Sequence, residues 1–109
     1  MYNLIISNQH VDLTDALTSR IKSEFSKHAN KFDNFIHGNV HVTIKVENNN
    51  HIAECLFHSK KHRFFASHES SDMYSSIDNT FKDVFKQTKK HKEIATKQKN
   101  SNKRDFIAE

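Results

Sequence analysis

The sequence predicts an α+β fold, a two-layer sandwich of order β-α-β-β-β-α in which a four-stranded sheet carries two helices on one face. Three observations predict it. Val40, Val42, Ile44 and Val46 alternate with His41, Thr43, Lys45 and Glu47, the pattern of a strand with one buried and one wet face. Leu17, Ile21, Phe25 and Phe32 recur at helical spacing, and so do Tyr74, Ile77, Phe81, Val84 and Phe85. Between those two helices lie three short strand-like runs separated by turn signals, and such a meander exposes one sheet face and packs both helices on the other.

The elements follow in order. Tyr2 to Ser7 reads as the first strand, with Leu4 and Ile6 on one face and Asn3 and Ser7 on the other. Thr14 offers a hydroxyl cap to the first helix, and Asp15 puts a negative charge in its first turn, where the helix dipole favours it. That helix is expected to run to about Lys31, burying Leu17, Ile21, Phe25, His28 or Ala29, and Phe32. Asn34 to Asn39, with Gly38, is the turn out of it. After the strand from Val40, Asn48, Asn49 and Asn50 make a hairpin turn, because asparagine tolerates left-handed backbone.

The third strand, Ile52 to His58, points Ala53, Cys55 and Phe57 inward. Ser59 to His62 is a basic hairpin tip, and Arg63 to His68 is a fourth strand with Phe64 and Ala66 inward. Ser70 or Ser71 caps the last helix, with Asp72 in its first turn. Thr88 and His91 interrupt the apolar stripe of that helix, so it is expected to leave the sheet between Phe85 and Lys89. One domain covers 1–97, and 98–109 reads as a flexible tail.

Composition narrows the function classes. A chain of 109 residues holds one core. Its single cysteine, Cys55, forms neither an internal disulfide nor a CxxC metal site, which fits a reducing compartment. The first residues lack a basic segment and an apolar run of signal-peptide length, and no later run is long enough to span a bilayer, so a cytoplasmic protein without membrane contact is expected. The nine histidines include no HxxxH on a helix, and read as surface or strand-face residues, not as metal ligands. Cys55 falls on the inward side of its strand, as a small apolar filler without a catalytic partner. With one glycine, Gly38, there is no phosphate-cradling loop, and Asp72 and Asp78 are ordinary acids at a helix start. No enzyme, no cofactor, no metal and no small-molecule substrate are expected.

Charge is what remains. The net charge is +4, yet residues 1–81 carry eight Lys/Arg against nine Asp/Glu, whereas residues 82–104 carry nine against two. Lys82, Lys86, Lys89, Lys90 and Lys97 cluster on one side of the last helix, centred roughly 130° from its apolar side at 100° per residue. Arg20, Lys27 and Lys31 share a stripe on the first helix. Side by side on one sheet, Arg20, Lys27 and Lys31 with Lys82, Lys86, Lys89 and Lys90 form a continuous positive surface, the footprint of a phosphate-backbone binder. Structured RNA suits it, since A-form helices are recognised by backbone and shape. The sheet face offers few base-stacking aromatics, Tyr2 and Phe65 being the candidates.

At the start of the last helix, Asp72-Met73-Tyr74 is followed by Ser75-Ser76-Ile77-Asp78, with Lys86-Gln87 and Lys90 further along. Ile6-Ser7, Leu13-Thr14-Asp15-Ala16-Leu17, Phe25, Lys27, Phe32-Asp33, Ile44-Lys45-Val46-Glu47, Ala66-Ser67 and Glu69 add weaker matches. In these residues the chain resembles the ribosome hibernation promoting factor family, which includes the ribosome-associated inhibitor A type, in its short form. The likeness covers the chain to about Lys92.

The resemblance implies a fold similar to double-stranded-RNA-binding domains, docked in the decoding channel of the small ribosomal subunit. It implies basic helices that contact small-subunit ribosomal RNA where messenger RNA and transfer RNA anticodons bind, in ribosomes held idle during stationary phase or stress. The factor is expected to be monomeric off the ribosome. A general double-stranded-RNA-binding module, or a protein-interaction module built on the lysine-rich helix, are the alternatives the residues allow. The chain departs from the family pattern at Asp83, where a lysine is usual, and at Lys82, where the acid usually stands. Leucines are replaced by Thr88 and His91, and basic residues by Thr18 and Glu24.

Overall fold

The computed structural model describes residues 2–32, 36–59 and 62–101, with side chains described as far as His91. The order is β1 (Tyr2–Gln9), α1 (Asp15–Ala29), a 3-10 turn (Asn30–Phe32), β2 (His37–Glu47), β3 (Asn50–His58), β4 (Arg63–Ser70) and α2 (Met73–Ser101). The strands lie side by side in the order β1-β2-β3-β4. β1 pairs parallel with β2, and the other two pairs are antiparallel. A parallel neighbour requires a crossover, and α1 supplies it. This is the α+β two-layer sandwich that periodicity predicts.

Register explains why both helices share one face. Ile6 lies opposite Val42, Val42 opposite Cys55, and Cys55 opposite Ala66, so one apolar row crosses all four strands. Val40, Ile44, Ala53, Phe57 and Phe64 extend that face, and all are buried. Against it sit Leu17, Ile21, Phe25 and Ala29 of α1 with Ile77, Phe81, Val84 and Phe85 of α2. Phe25 is the hub. Its ring meets those of Tyr2, Phe57, Phe81 and Phe85 at centroid distances of 5.2, 6.1, 5.5 and 5.1 Å, mostly edge to face as ring quadrupoles favour.

Local chemistry sets the boundaries. Thr14 caps α1, its Oγ1 accepting from the Leu17 N–H at 3.1 Å. α1 ends at Ala29, two residues short of the expected Lys31, and the 3-10 turn then delivers Phe32 into the core. β2 starts at His37 instead of Val40, because β1 extends the ladder down to Gly38 opposite Tyr2. Gly38 has φ +75°, and a bulge lies between His37 and His41, which is where a glycine is useful in a strand. Asn48 and Asn49 have φ 51° and 67°, the two left-handed positions of a type I′ hairpin turn joining Glu47 to Asn50.

Three expectations about α2 are corrected. Its cap is Asp72, whose carboxylate accepts from the Ser75 N–H at 3.0 Å, while Ser70 Oγ accepts from the Asp72 N–H at 3.2 Å. Tyr74 is 37 % exposed, and Met73, 5 % exposed, takes the inward place expected of it. The helix does not leave the sheet at Phe85 to Lys89. Thr88 is fully buried and satisfies its hydroxyl on the Val84 carbonyl at 2.8 Å, and the His91 ring packs against His62 and Phe64 at 3.9 and 5.6 Å. A threonine that hydrogen-bonds its own helix can continue an apolar stripe. Of the expected tail 98–109, positions 98–101 belong to α2 and 102–109 lie outside the described residues.

Candidate nucleic-acid interface

The helix layer sets the basic residues, and it does not treat them alike. Arg20, near the start of α1, reaches across to α2, where Nη2 lies 2.6 Å from Asp78 Oδ2 and Nε donates to Oδ1 at 3.2 Å. The guanidinium also sits 5.6 Å from the centre of the Tyr74 ring. The hydrogen bond to Asp78, then its charge, pushes the Arg20 guanidinium further up from its already high range. Lys27 is paired with Glu24 at 2.9 Å. Both cations are balanced by acids, and the expected α1 stripe of Arg20, Lys27 and Lys31 is interrupted.

Four other lysines differ. Lys31 from the 3-10 turn and Lys82, Lys86 and Lys89 from α2 line a groove of about 500 Å³ together with His28, Phe32 and Phe85. All four lysines are exposed, and among the described residues none of them forms an ion pair. The spacing of 82, 86 and 89 along α2 keeps them on one side, and the early end of α1 brings Lys31 to face them. Lys90 is exposed but does not line the groove. Lys97 lies beyond the residues whose side chains are described.

Asp83 stands in sequence among these lysines but points elsewhere. Its carboxylate lies 2.9 Å from His68 Nε2 on β4 and accepts from Gln87 Nε2 at 3.1 Å. The Gln87 hydrogen bond and then the His68 contact hold the Asp83 carboxyl below its usual range. Gln87 also donates to the Phe65 carbonyl at 3.1 Å, so the trio ties α2 to the edge strand and leaves the lysine groove free of an acid.

His28 and Phe85 were visible in the sequence only as core candidates. In the structure the His28 ring stacks on Phe85 at 5.2 Å and 14°, Phe32 stacks on Phe85 at 5.8 Å and 22°, and the three form the groove floor. His28 is half-buried, whereas Ala29 fills the fully inward place. Burial pulls the His28 pKa down; Glu24 opposes this, while Lys27, Lys31 and Lys82 add to it.

Elsewhere the surface offers less. Tyr2 is turned inward onto Phe25, so of the two aromatics considered for the open sheet face only Phe65, 48 % exposed, lies there. Lys45 is paired with Glu54 at 3.2 Å. Burial pushes the Cys55 thiol up to about 12, which leaves it unreactive. Among the described residues, no three His, Cys, Asp or Glu side chains are grouped to hold a metal ion. No helix of the described residues is long and apolar enough to cross a membrane.

A family model described as "Sigma 54 modulation protein / S30EA ribosomal protein" matches residues 4–96. The chain belongs to this family. The S30EA match spans β1 through most of α2, the whole sandwich. Relatives named ribosome hibernation promoting factor include that of Escherichia coli K12, 32 % identical over 90 residues, covering 83 % of this chain and 93 % of that one. The Pseudomonas putida protein of the same name is 33 % identical over 88 residues, covering 81 % and 84 %. In fold, the S30EA chain is similar to a ribosomal subunit interface protein from Coxiella burnetii, with TM-score 0.76, 23 % identity, and coverage of 84 % of this chain and 98 % of that one. It is also similar to the N-terminal domain of Thermus thermophilus Protein Y, with TM-score 0.73, 16 % identity, and coverage of 84 % and 99 %.

Proposed function

We propose that this chain is a ribosome hibernation factor that binds the decoding channel of the small ribosomal subunit and blocks messenger and transfer RNA there. In this reading it is a non-enzymatic, cytoplasmic inhibitor of translation in stationary phase or stress, and monomeric off the ribosome. Family membership and the names of its relatives support the ribosome as partner. The observation that carries the mechanism is the convergence of Lys31, Lys82, Lys86 and Lys89, from two elements, on one groove without a neutralising acid. Such a surface attracts the phosphates of folded RNA by releasing their counterions, and needs neither cofactor nor metal to do so. Lys90 extends it along α2. Arg20 and Lys27 act differently, as positioning groups that hold α1 against α2 and offer little free charge.

Co-sedimentation with purified small subunits over a range of salt tests the proposal. The logarithm of the association constant is expected to fall linearly with the logarithm of salt concentration, by close to one unit of slope for about each phosphate neutralised. Binding that ignores salt overturns the mechanism. Equal affinity for an unrelated RNA duplex points instead to a general double-stranded-RNA binder.

A further inference from the structure

The groove has a chemistry that phosphate contacts alone do not use. Its volume of about 500 Å³ falls within the range of about 300–1,000 Å³ common to small-molecule sites. One part is aromatic, with His28, Phe85 and Phe32 in near-parallel planes. The other part is cationic, with Lys82, Lys86 and Lys89 on one wall and Lys31 opposite. An inorganic anion satisfies the lysines and leaves the half-buried His28 ring wet. A planar heterocycle joined to a phosphate satisfies both.

We propose that the groove between α1 and α2 is a nucleotide site, with the base laid on the open face of His28 and the phosphates held between Lys82, Lys86 and Lys89. His28 suits the role because it is half-buried, whereas Phe32 and Phe85, the other rings of the stack, are buried. Among the described residues it has no hydrogen-bond or ion-pair partner that would fix it otherwise. Stacking on an aromatic ring tolerates any base, so the site reads a nucleotide and not a sequence. The nucleotide has two possible sources, the free pool or an unpaired residue extruded from an RNA strand. This goes beyond the ribosome reading and does not depend on it, since either source can fill the groove whether or not the small subunit is the partner.

The full chain titrated in magnesium-free buffer with ATP, inorganic triphosphate, a five-residue oligoadenylate and a fully paired RNA duplex tests this, with His28 ring protons followed by NMR. ATP is expected to bind about fivefold or more tighter than triphosphate, the lower bound of a base–aromatic stack, and to move the His28 ring signals upfield. His28→Ala is expected to abolish that preference, and His28→Phe to restore it. An upfield shift with oligoadenylate but not with ATP assigns the nucleotide to an RNA strand; a shift with ATP alone assigns it to the free pool. Equal binding of ATP and triphosphate, with no ring shift from ATP or oligoadenylate, overturns the site. That result leaves the co-sedimentation outcome untouched, so the two proposals fail separately.

Discussion

Asp83 and His68 lie 2.9 Å apart, a contact between the middle of α2 and the edge strand β4. The acid that interrupts the lysine run in sequence is thereby turned toward β4 and does not line the groove, although the charge of Lys86 still reaches it. Replacing it with the lysine usual in the family adds a cation against β4, outside the groove lining, and removes a partner from both His68 and Gln87. Asp83→Lys is therefore expected to lower stability without raising RNA affinity, as urea unfolding and filter binding together would report. A gain in RNA affinity would place Asp83 within the binding surface.

The same pair gives a pH dependence. The folded-state carboxyl of Asp83 titrates below its ordinary value of 3.8, chiefly through the Gln87 hydrogen bond and then His68. A depressed carboxylate contributes stability that is present above its unfolded-state pKa and is lost as pH falls through the folded value. The contribution is small, because the side chain is 40 % exposed and solvent screens such pairs. Thermal midpoints of the wild type are expected to fall more steeply below about pH 4 than those of Asp83→Asn, with the two curves running parallel from pH 5 to 6. Identical curves down to pH 3 contradict the assignment.

Phe25 touches four other rings and is fully buried. Truncation leaves a cavity that the sheet on one side and α2 on the other cannot both close. Phe25→Ala is expected to destabilise by about 3–5 kcal/mol, read as a lower urea midpoint at unchanged slope. A loss below about 1 kcal/mol would mean that the layers repack freely, contrary to the density of protein interiors.

The sheet was legible in the sequence because period-two alternation in β2, β3 and β4 is a direct record of one buried face. Both helices were legible for the same reason, and so was the lysine cluster of α2. What could not be read is side-chain direction at the edges of the stripes. Tyr74 and Met73 differ by one helical step, and the packing of the Met73, Ile77, Phe81 and Val84 stripe on the sheet decides which one turns inward. Thr88 looked like the end of the apolar stripe, since a sequence does not show that its hydroxyl is satisfied by Val84. Arg20 and Lys27 looked like free charge, because their partners Asp78 and Glu24 are set by the packing of α1 on α2 and by rotamers. His28 competed with Ala29 for one inward place, and its role as groove floor follows from losing that competition.

The hairpin turn offers a cleaner test of backbone reasoning. Asn49 has φ 67°, a conformation that costs a β-branched residue roughly 1–2 kcal/mol. Asn49→Val is expected to destabilise by about that amount, whereas Asn49→Gly, the residue favoured at the second position of a type I′ turn, is expected to leave the thermal midpoint unchanged or higher. The pair separates strain from side-chain contact, since valine and glycine both remove the carboxamide. Equal losses in both variants would show that the carboxamide, and not the left-handed backbone, matters here.

The uneven pairing of the cations ranks their effects on RNA. Lys82, Lys86 and Lys89 have no ion pair among the described residues, so each is free to neutralise a phosphate. Lys86→Gln with Lys89→Gln is expected to reduce the salt slope of small-subunit binding by about two units while leaving the urea midpoint in place. Lys90→Gln, outside the groove, should have the smaller effect of a flanking contact. Arg20→Gln breaks the bidentate contact with Asp78 and is expected to do the reverse, lowering stability with little change in slope. Lys27→Gln frees Glu24 and should weaken binding slightly through the uncovered acid. A slope that falls equally for Arg20→Gln and for the double lysine variant would mean that RNA displaces Asp78 and that the surface extends the full length of both helices.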